Sequence, residues 1–252
     1  MALVTRRTFA GMVGLLAADG LLKTGWSQVR GVEHPAPLKP VVDRSHASSE
    51  EIWQDLMEGN KRFASGQPLA KDVIKARAKT ATSQHPYVIV LCCSDSRLSP
   101  EAIFDQGIGD LFVVRTAGNV ADPIALASLE YAVEHLGSRM IVVMGHEKCG
   151  AVSATLSGET MPTENLTALV EKIKPGIERL KGLVQGDSLM SLAVEANVHH
   201  SAANVVEESP IVRHEIASGS LAVVKAVYNL GTGQVLRIGG NLREDNMESA
   251  KH

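Results

Sequence analysis

Four stretches of this chain are apolar almost without interruption, and each is too short for a buried helix. They are Tyr87–Cys92, Leu111–Arg115, Met140–Gly145 and Leu221–Tyr228. A strand with one wet face alternates polar and apolar residues, whereas a strand covered on both faces reads as a continuous run of Val, Ile and Leu. Between the runs lie helical patterns. Ile124, Leu126, Leu129 and Val133 mark one face of a helix over about Pro123 to Leu136, and further patterns cover 149–157, 163–184, 187–208 and 210–218. Strands alternating with helices in this way predict an α/β fold. Its central sheet has four mostly parallel strands, an antiparallel edge strand at Val235–Ile238, and helices on both sides. A helix capped by Ser48 or Ser49, with Ile52, Leu56 and Phe63 as its stripe and its end near Gly66, forms an N-terminal helical arm. In sheets of this kind ligands bind at the carboxyl ends of the strands.

With 252 residues, 44% of them hydrophobic, the chain is long enough for one large domain with a proper core. That domain is expected over residues 48–242, with a short tail at 243–252. The net charge of −3 and a pI near 6.3 exclude a basic nucleic-acid binder. Three cysteines, an odd and small number, do not make a disulfide framework.

The start of the chain has a different character. Thr5-Arg6-Arg7-Thr8-Phe9 precedes an apolar run from Ala10 to Ala18, the pattern of a twin-arginine export signal over residues 1–27. The run is too short to span a membrane as an ordinary helix. A periplasmic location is expected, with no membrane contact after signal removal and with a membrane anchor if the signal stays. Residues 28–47, with Pro35, Pro37 and Pro40, read as a linker or extended arm.

Two short segments carry the chemistry. Cys93-Ser94-Asp95-Ser96-Arg97 follows the first apolar run, and His146-Glu147-Lys148-Cys149 follows the third. Two thiols, an imidazole and a carboxylate match what zinc prefers. Cys93, His146 and Cys149 are the expected permanent ligands of one zinc ion per chain, with Asp95 an exchangeable fourth ligand or a neighbour. A structural zinc site is the alternative, but it calls for a second Cys or His pair, which is missing. Arg97 decides the balance, because a guanidinium can hold a carboxylate through two parallel hydrogen bonds and keep it off the metal. An open position on zinc then makes a zinc-bound hydroxide the expected reagent. Cys92 reads as a small buried hydrophobe turned away from Cys93. Gly150 reads as allowing a tight approach, and Glu147 and Lys148 read as solvated. His199, His200 and His214 are candidate proton relays that nothing places near the metal.

These two motifs at their spacing, together with Phe104-Asp105-Gln106-Gly107 and Val114-Arg115-Thr116-Ala117-Gly118-Asn119, resemble the beta class of carbonic anhydrases over roughly residues 50 to 240. The resemblance implies reversible hydration of carbon dioxide to bicarbonate and a proton. It assigns Cys93, His146 and Cys149 to zinc and makes Asp95 and Arg97 a catalytic dyad. Gln84, nine residues before Cys93, is implied to hydrogen-bond bicarbonate. Phe112 and Tyr131 are implied to line the carbon dioxide pocket, often across a dimer interface, and Ala117 makes that pocket roomier. A homodimer or higher even oligomer is implied, of the constitutively active type. The rival readings are a carbon disulfide or carbonyl sulfide hydrolase on the same scaffold, and a non-catalytic periplasmic zinc-binding module.

Overall fold

The apolar runs form one five-stranded sheet in a computed structural model that describes residues 47–180 and 186–239. The expectations for the export signal, the linker up to residue 46 and the tail at 243–252 lie outside the described residues. The strands are β1 (Val88–Cys93), β2 (Leu111–Thr116), β3 (Met140–His146), β4 (Ala222–Tyr228) and β5 (Val235–Arg237). Their order is β2-β1-β3-β4-β5, with the first four parallel and β5 antiparallel to β4. Every residue of β1 and β3 is buried, which explains their unbroken hydrophobicity.

Alternation divides the core into two layers. Val88, Val90, Met140, Val142, Met144, Val224 and Ala226 face one side of the sheet. Ile89, Leu91, Ile141, Val143 and Val223 face the other. Full burial of each such side chain contributes about 1.5–3 kcal/mol.

The helices are α1 (Ser49–Ala64), α2 (Val73–Thr80), α3 (Pro100–Ile103), α4 (Pro123–Glu134), α5 (Gly150–Ser157), α6 (Glu164–Ile177), α7 (Asp187–Glu208) and α8 (Pro210–Ser218). α1 opens on a capping box: the Ser48 amide donates to Glu51 Oε2 at 2.8 Å, and the Glu51 amide donates to Ser48 Oγ at 3.3 Å. It buries Ile52, Trp53 and Leu56 in its own chain's core, so it is a packed part of the domain. Leu129 of α4, Val198 and Ala202 of α7 and Val212 of α8 cover the opposite face.

Three features depart from the expected pattern. α2 buries none of its residues, so the apolar stripe that would reveal it in sequence is missing; Asp72 starts it by accepting from the Lys75 amide at 2.8 Å. α3 is a single turn of four residues, too short for a periodic signal. The helix expected over 163–184 ends at Ile177, with Pro175 inside its last turn, and a 3-10 turn follows at Glu178–Leu180; residues 181–184 lie outside the described residues. None of the described helices is long and apolar enough to cross a membrane.

The register places chemistry at one edge. Cys93 is the last residue of β1, level with Thr116 of β2, and Cys92 is level with Met144 of β3. His146 is the last residue of β3. Both ligand-type residues therefore end neighbouring parallel strands at their carboxyl edge, as the sequence pattern requires.

Candidate metal centre

β1 delivers Cys93, β3 delivers His146, and a tight turn returns the chain so that Cys149 heads α5. Lys148 makes that turn with a φ of 53°, and its side chain is exposed. The ligand atoms of Cys93, His146 and Cys149 all lie within 4.8 Å of one another, and all three residues are buried.

The imidazole is prepared for a cation. His146 Nδ1 faces the Glu147 carbonyl at 2.8 Å; a carbonyl only accepts, so Nδ1 carries the proton and donates. Nε2 is left with its lone pair, buried and without a hydrogen-bond partner. Such an orphan costs roughly 1–3 kcal/mol unless something occupies it. Two sulfurs within reach and an orphaned imidazole nitrogen fit zinc, and the Nδ1 bond fixes the ring as outer-shell bonds to metal-ligating histidines do.

The two thiols are shifted in opposite directions. The bond from the Cys149 thiol holds Cys93 well below the usual thiol range against the opposing effect of burial. His146 and the amides of Gly118 and Asp95 add to this. Cys149 is pushed up in turn by its bond to Cys93 and by burial. The Gly118 amide reaches Cys93 Sγ at 3.3 Å. Cys92 is fully buried, and burial pushes its thiol up to about 12, which makes it an inert core residue.

Asp95 is engaged by Arg97 through a fork. Nε donates to Oδ1 at 2.9 Å, Nη2 donates to Oδ2 at 2.7 Å, and the Arg97 amide adds a bond to Oδ1 at 3.0 Å. The guanidinium holds the Asp95 carboxyl well below the usual carboxylate range, with burial as the opposing influence. Oδ2 stands 3.9 Å from His146 Nε2, beside the ligand cluster. The site is open to solvent on this side: the Arg97 side chain is 53% exposed and that of Asp95 18%.

Gln84, Phe112 and Tyr131 stand elsewhere in the protomer. Gln84 is exposed in the segment leading into β1, so the whole strand, about 20 Å, separates it from Cys93. Phe112 pairs with Ile89, four residues before the level of Cys93. Tyr131 lies 45% exposed on α4, its ring centroid 6.3 Å from that of Phe112. Ala117 is exposed near the ligand edge. His200 bonds the Lys172 carbonyl at 3.1 Å and His214 is exposed; neither belongs to the ligand cluster.

Two expectations are corrected. A side chain added at Gly150 would meet nothing within 4 Å, so no close approach requires that glycine; the glycines crowded beside the ligands are Gly118, where a Cβ would lie 2.7 Å from Ile173 Cδ1, and Gly145, where it would lie 2.5 Å from Val198 Cγ2. Glu147 is half-buried and accepts a bond from Asn229 Nδ2 at 2.7 Å, which ties the metal loop to the β4–β5 turn. Arg115 has a role that its place in the sequence motif does not assign. Its Nη2 donates to the Asp95 carbonyl at 2.6 Å and its Nε to the Cys93 carbonyl at 3.3 Å, clamping the ligand loop from β2. The available signal was a charged residue ending an apolar strand.

A parallel sheet that presents two thiols, one imidazole and an arginine-held carboxylate at its carboxyl edge defines a zinc-enzyme centre rather than a structural zinc knuckle. The comparisons agree. Residues 88–235 match the carbonic anhydrase family model. "Carbonic anhydrase 2" of Mycobacterium tuberculosis is 41% identical over 199 residues, 77% of this chain and 95% of the relative. Among solved structures, the Coccomyxa beta-carbonic anhydrase in complex with acetazolamide superposes with a TM-score of 0.62 at 31% identity, covering 75% of this chain and 88% of the other. One of two tetrameric beta-carbonic anhydrases from Sordaria macrospora gives 0.61 at 26% identity, covering 75% and 98%. The chain belongs to the carbonic anhydrase family, in its beta class, whose members are zinc enzymes.

Proposed function

We propose that this chain catalyses the reversible hydration of carbon dioxide to bicarbonate and a proton, with one zinc per chain held by Cys93, His146 and Cys149. The observation that carries this reading is the fork from Arg97, which leaves Asp95 beside the three ligand atoms rather than among them. Zinc held there supplies a Lewis acid that acidifies water towards neutrality. Asp95 stays ionised at neutral pH and acts as an acceptor at Oδ2, fixing the orientation of the water that attacks carbon. Arg97 keeps that carboxylate ionised and aimed. Arg115 holds the two carbonyls of the loop that carries Cys93 and Asp95.

The substrate-binding set is completed, in this reading, by a second copy of the chain. Gln84 offers an amide to bicarbonate, and Phe112 and Tyr131 offer an apolar wall to carbon dioxide. All three lie away from the metal in their own protomer. Phe112 lies on β2, an edge strand whose residues Leu111–Val114 are only half-buried, and Tyr131 lies on α4 together with Ile124, which is 77% exposed. An unpaired edge with exposed apolar residues invites pairing. A homodimer built on this face explains the position of all three residues.

The N-terminal pattern around Arg6-Arg7 supports export of the folded, metal-loaded protein to the periplasm. Cell fractionation checks this: replacing both arginines by lysine is expected to strand the protein in the cytoplasm, and unchanged export would remove the assignment.

Asp95→Asn and Arg97→Ala test the mechanism. Each is expected to keep one zinc per chain while losing about 10²-fold or more of hydration turnover in stopped-flow measurements. Full activity in either variant would take the pair out of the reaction.

A further inference from the structure

We propose that Asn197 of α7 is a positioning residue for the metal centre: its amide fixes the carbonyl of Gly118, and so the backbone of the residue whose N–H, in the preceding peptide unit, holds the sulfur of Cys93. The inference rests on reading Cys93 as a zinc ligand. Asn197 is buried, 1% exposed, and its Nδ2 donates to the Gly118 carbonyl at 2.8 Å. The same nitrogen reaches Asn119 Oδ1 at 3.5 Å, and Asn119 Nδ2 donates onward to Ser201 Oγ, one helical turn further along α7, at 3.3 Å. In the peptide unit on the other side of the Gly118 Cα, the Gly118 amide donates to Cys93 Sγ at 3.3 Å. One peptide unit at each end of Gly118 therefore links α7 to the ligand.

The turn between them needs holding. Gly118 and Asn119 are consecutive left-handed residues, with φ of 64° and 48°. Glycine adopts that conformation freely, but asparagine does so at some cost. No larger residue can replace Gly118, because a Cβ there would sit 2.7 Å from Ile173 Cδ1 and 3.1 Å from Ala151 Cβ. The neighbour of Asn197 on α7, Val198, presses on the backbone of Gly145, just before His146, where a Cβ would lie 2.5 Å from Val198 Cγ2. The same stretch of α7 thus meets both ligand-bearing edges.

The orphaned Oδ1 of Asn197 shows what this residue contributes. It has no hydrogen-bond partner although it is buried. The amide cannot reverse, because Oδ1 would then face the Gly118 carbonyl. A leucine would fill similar volume without burying an unpaired acceptor, so the useful part of Asn197 is its N–H. A thiolate that accepts an N–H bond is fixed in direction towards a metal, and loss of such outer contacts weakens metal binding about 10–100-fold.

The test compares the full chain with Asn197→Leu and the nearly isosteric Asn197→Asp, whose carboxylate would face the Gly118 carbonyl. Zinc affinity is read by competition with a chromophoric chelator. Cobalt substitution gives a second reading through the thiolate-to-metal charge-transfer band. Both variants are expected to bind zinc about 10–100-fold more weakly and to shift that band. Ser201→Ala, whose bond ends at Asn119, is expected to stay close to wild type. A folded variant, Leu or Asp, with wild-type zinc affinity and an unchanged cobalt band would overturn the assignment. Wild-type protein that takes up no zinc at all would instead remove the reading of Cys93 on which it rests.

Discussion

At Asp95 the sign of the pH dependence follows from one contact. Arg97 lowers the folded-state pKa of Asp95, so the ion pair contributes stability that is complete above the ordinary carboxylate value near 4 and is lost as the pH falls through the depressed one. The carboxylate is therefore already charged throughout mildly acid and neutral conditions, and its titration cannot be the step that switches activity near neutral pH. Arg97→Ala should raise the Asp95 titration towards the ordinary carboxylate range, as followed by carboxyl carbon NMR. An unshifted titration would mean that something other than Arg97 holds the charge. Residues of this kind were legible in the sequence because thiols, imidazole and the Asp-x-Arg pair carry their chemistry in their identity and spacing. Asn197 and Gly118 were not: a single asparagine on a long helix has no spacing partner. Its role arises only when the fold brings it to a turn 79 positions away.

Between elements, a buried ionic contact outside the metal centre is centred on Asp105. It follows α3 with a φ of 49° and a fully buried carboxylate. Arg62 of α1 donates to it at 2.6 Å, the Leu69 amide at 3.1 Å, and Lys71 pairs with its other oxygen. Burial, the strongest single influence, pushes its pKa up, but these three donors together outweigh it and the net direction is down. A depressed carboxylate stabilises the fold above about pH 4 and ceases to do so as the pH falls through its folded value. Asp105→Asn keeps the shape and tolerates the left-handed backbone, so it isolates the charge. It should cost about 2–3 kcal/mol at pH 7 and flatten the acid limb of urea-unfolding stability below about pH 4. The strands and long helices could be read from hydrophobic period alone, and β1, β3 and β4 fell within a residue or so of their expected bounds. α2 could not, because a helix held by its cap that buries none of its residues leaves no apolar stripe to read.

For the whole molecule, the proposed substrate-binding set of Gln84, Phe112 and Tyr131 needs a second copy of the chain. These residues were legible only through family resemblance, since a role across two copies leaves no intrachain pattern. Ile124 tests the arrangement cleanly because it is 77% exposed, touches no ligand and can accept a charge without disturbing the core. Ile124→Asp should yield a folded, zinc-containing monomer in light scattering, with hydration activity falling alongside the loss of dimer. A fully active monomer would show that each protomer is sufficient.

The central claim is that Cys93, His146 and Cys149 hold a catalytic zinc. It is tested most directly by stopped-flow carbon dioxide hydration on mature protein titrated with zinc from the metal-free state, across pH. Turnover should rise in proportion to zinc up to one ion per chain, increase from mildly acid to alkaline pH, and vanish on chelation. Folded protein carrying one zinc per chain and showing no hydration at any pH would contradict the account.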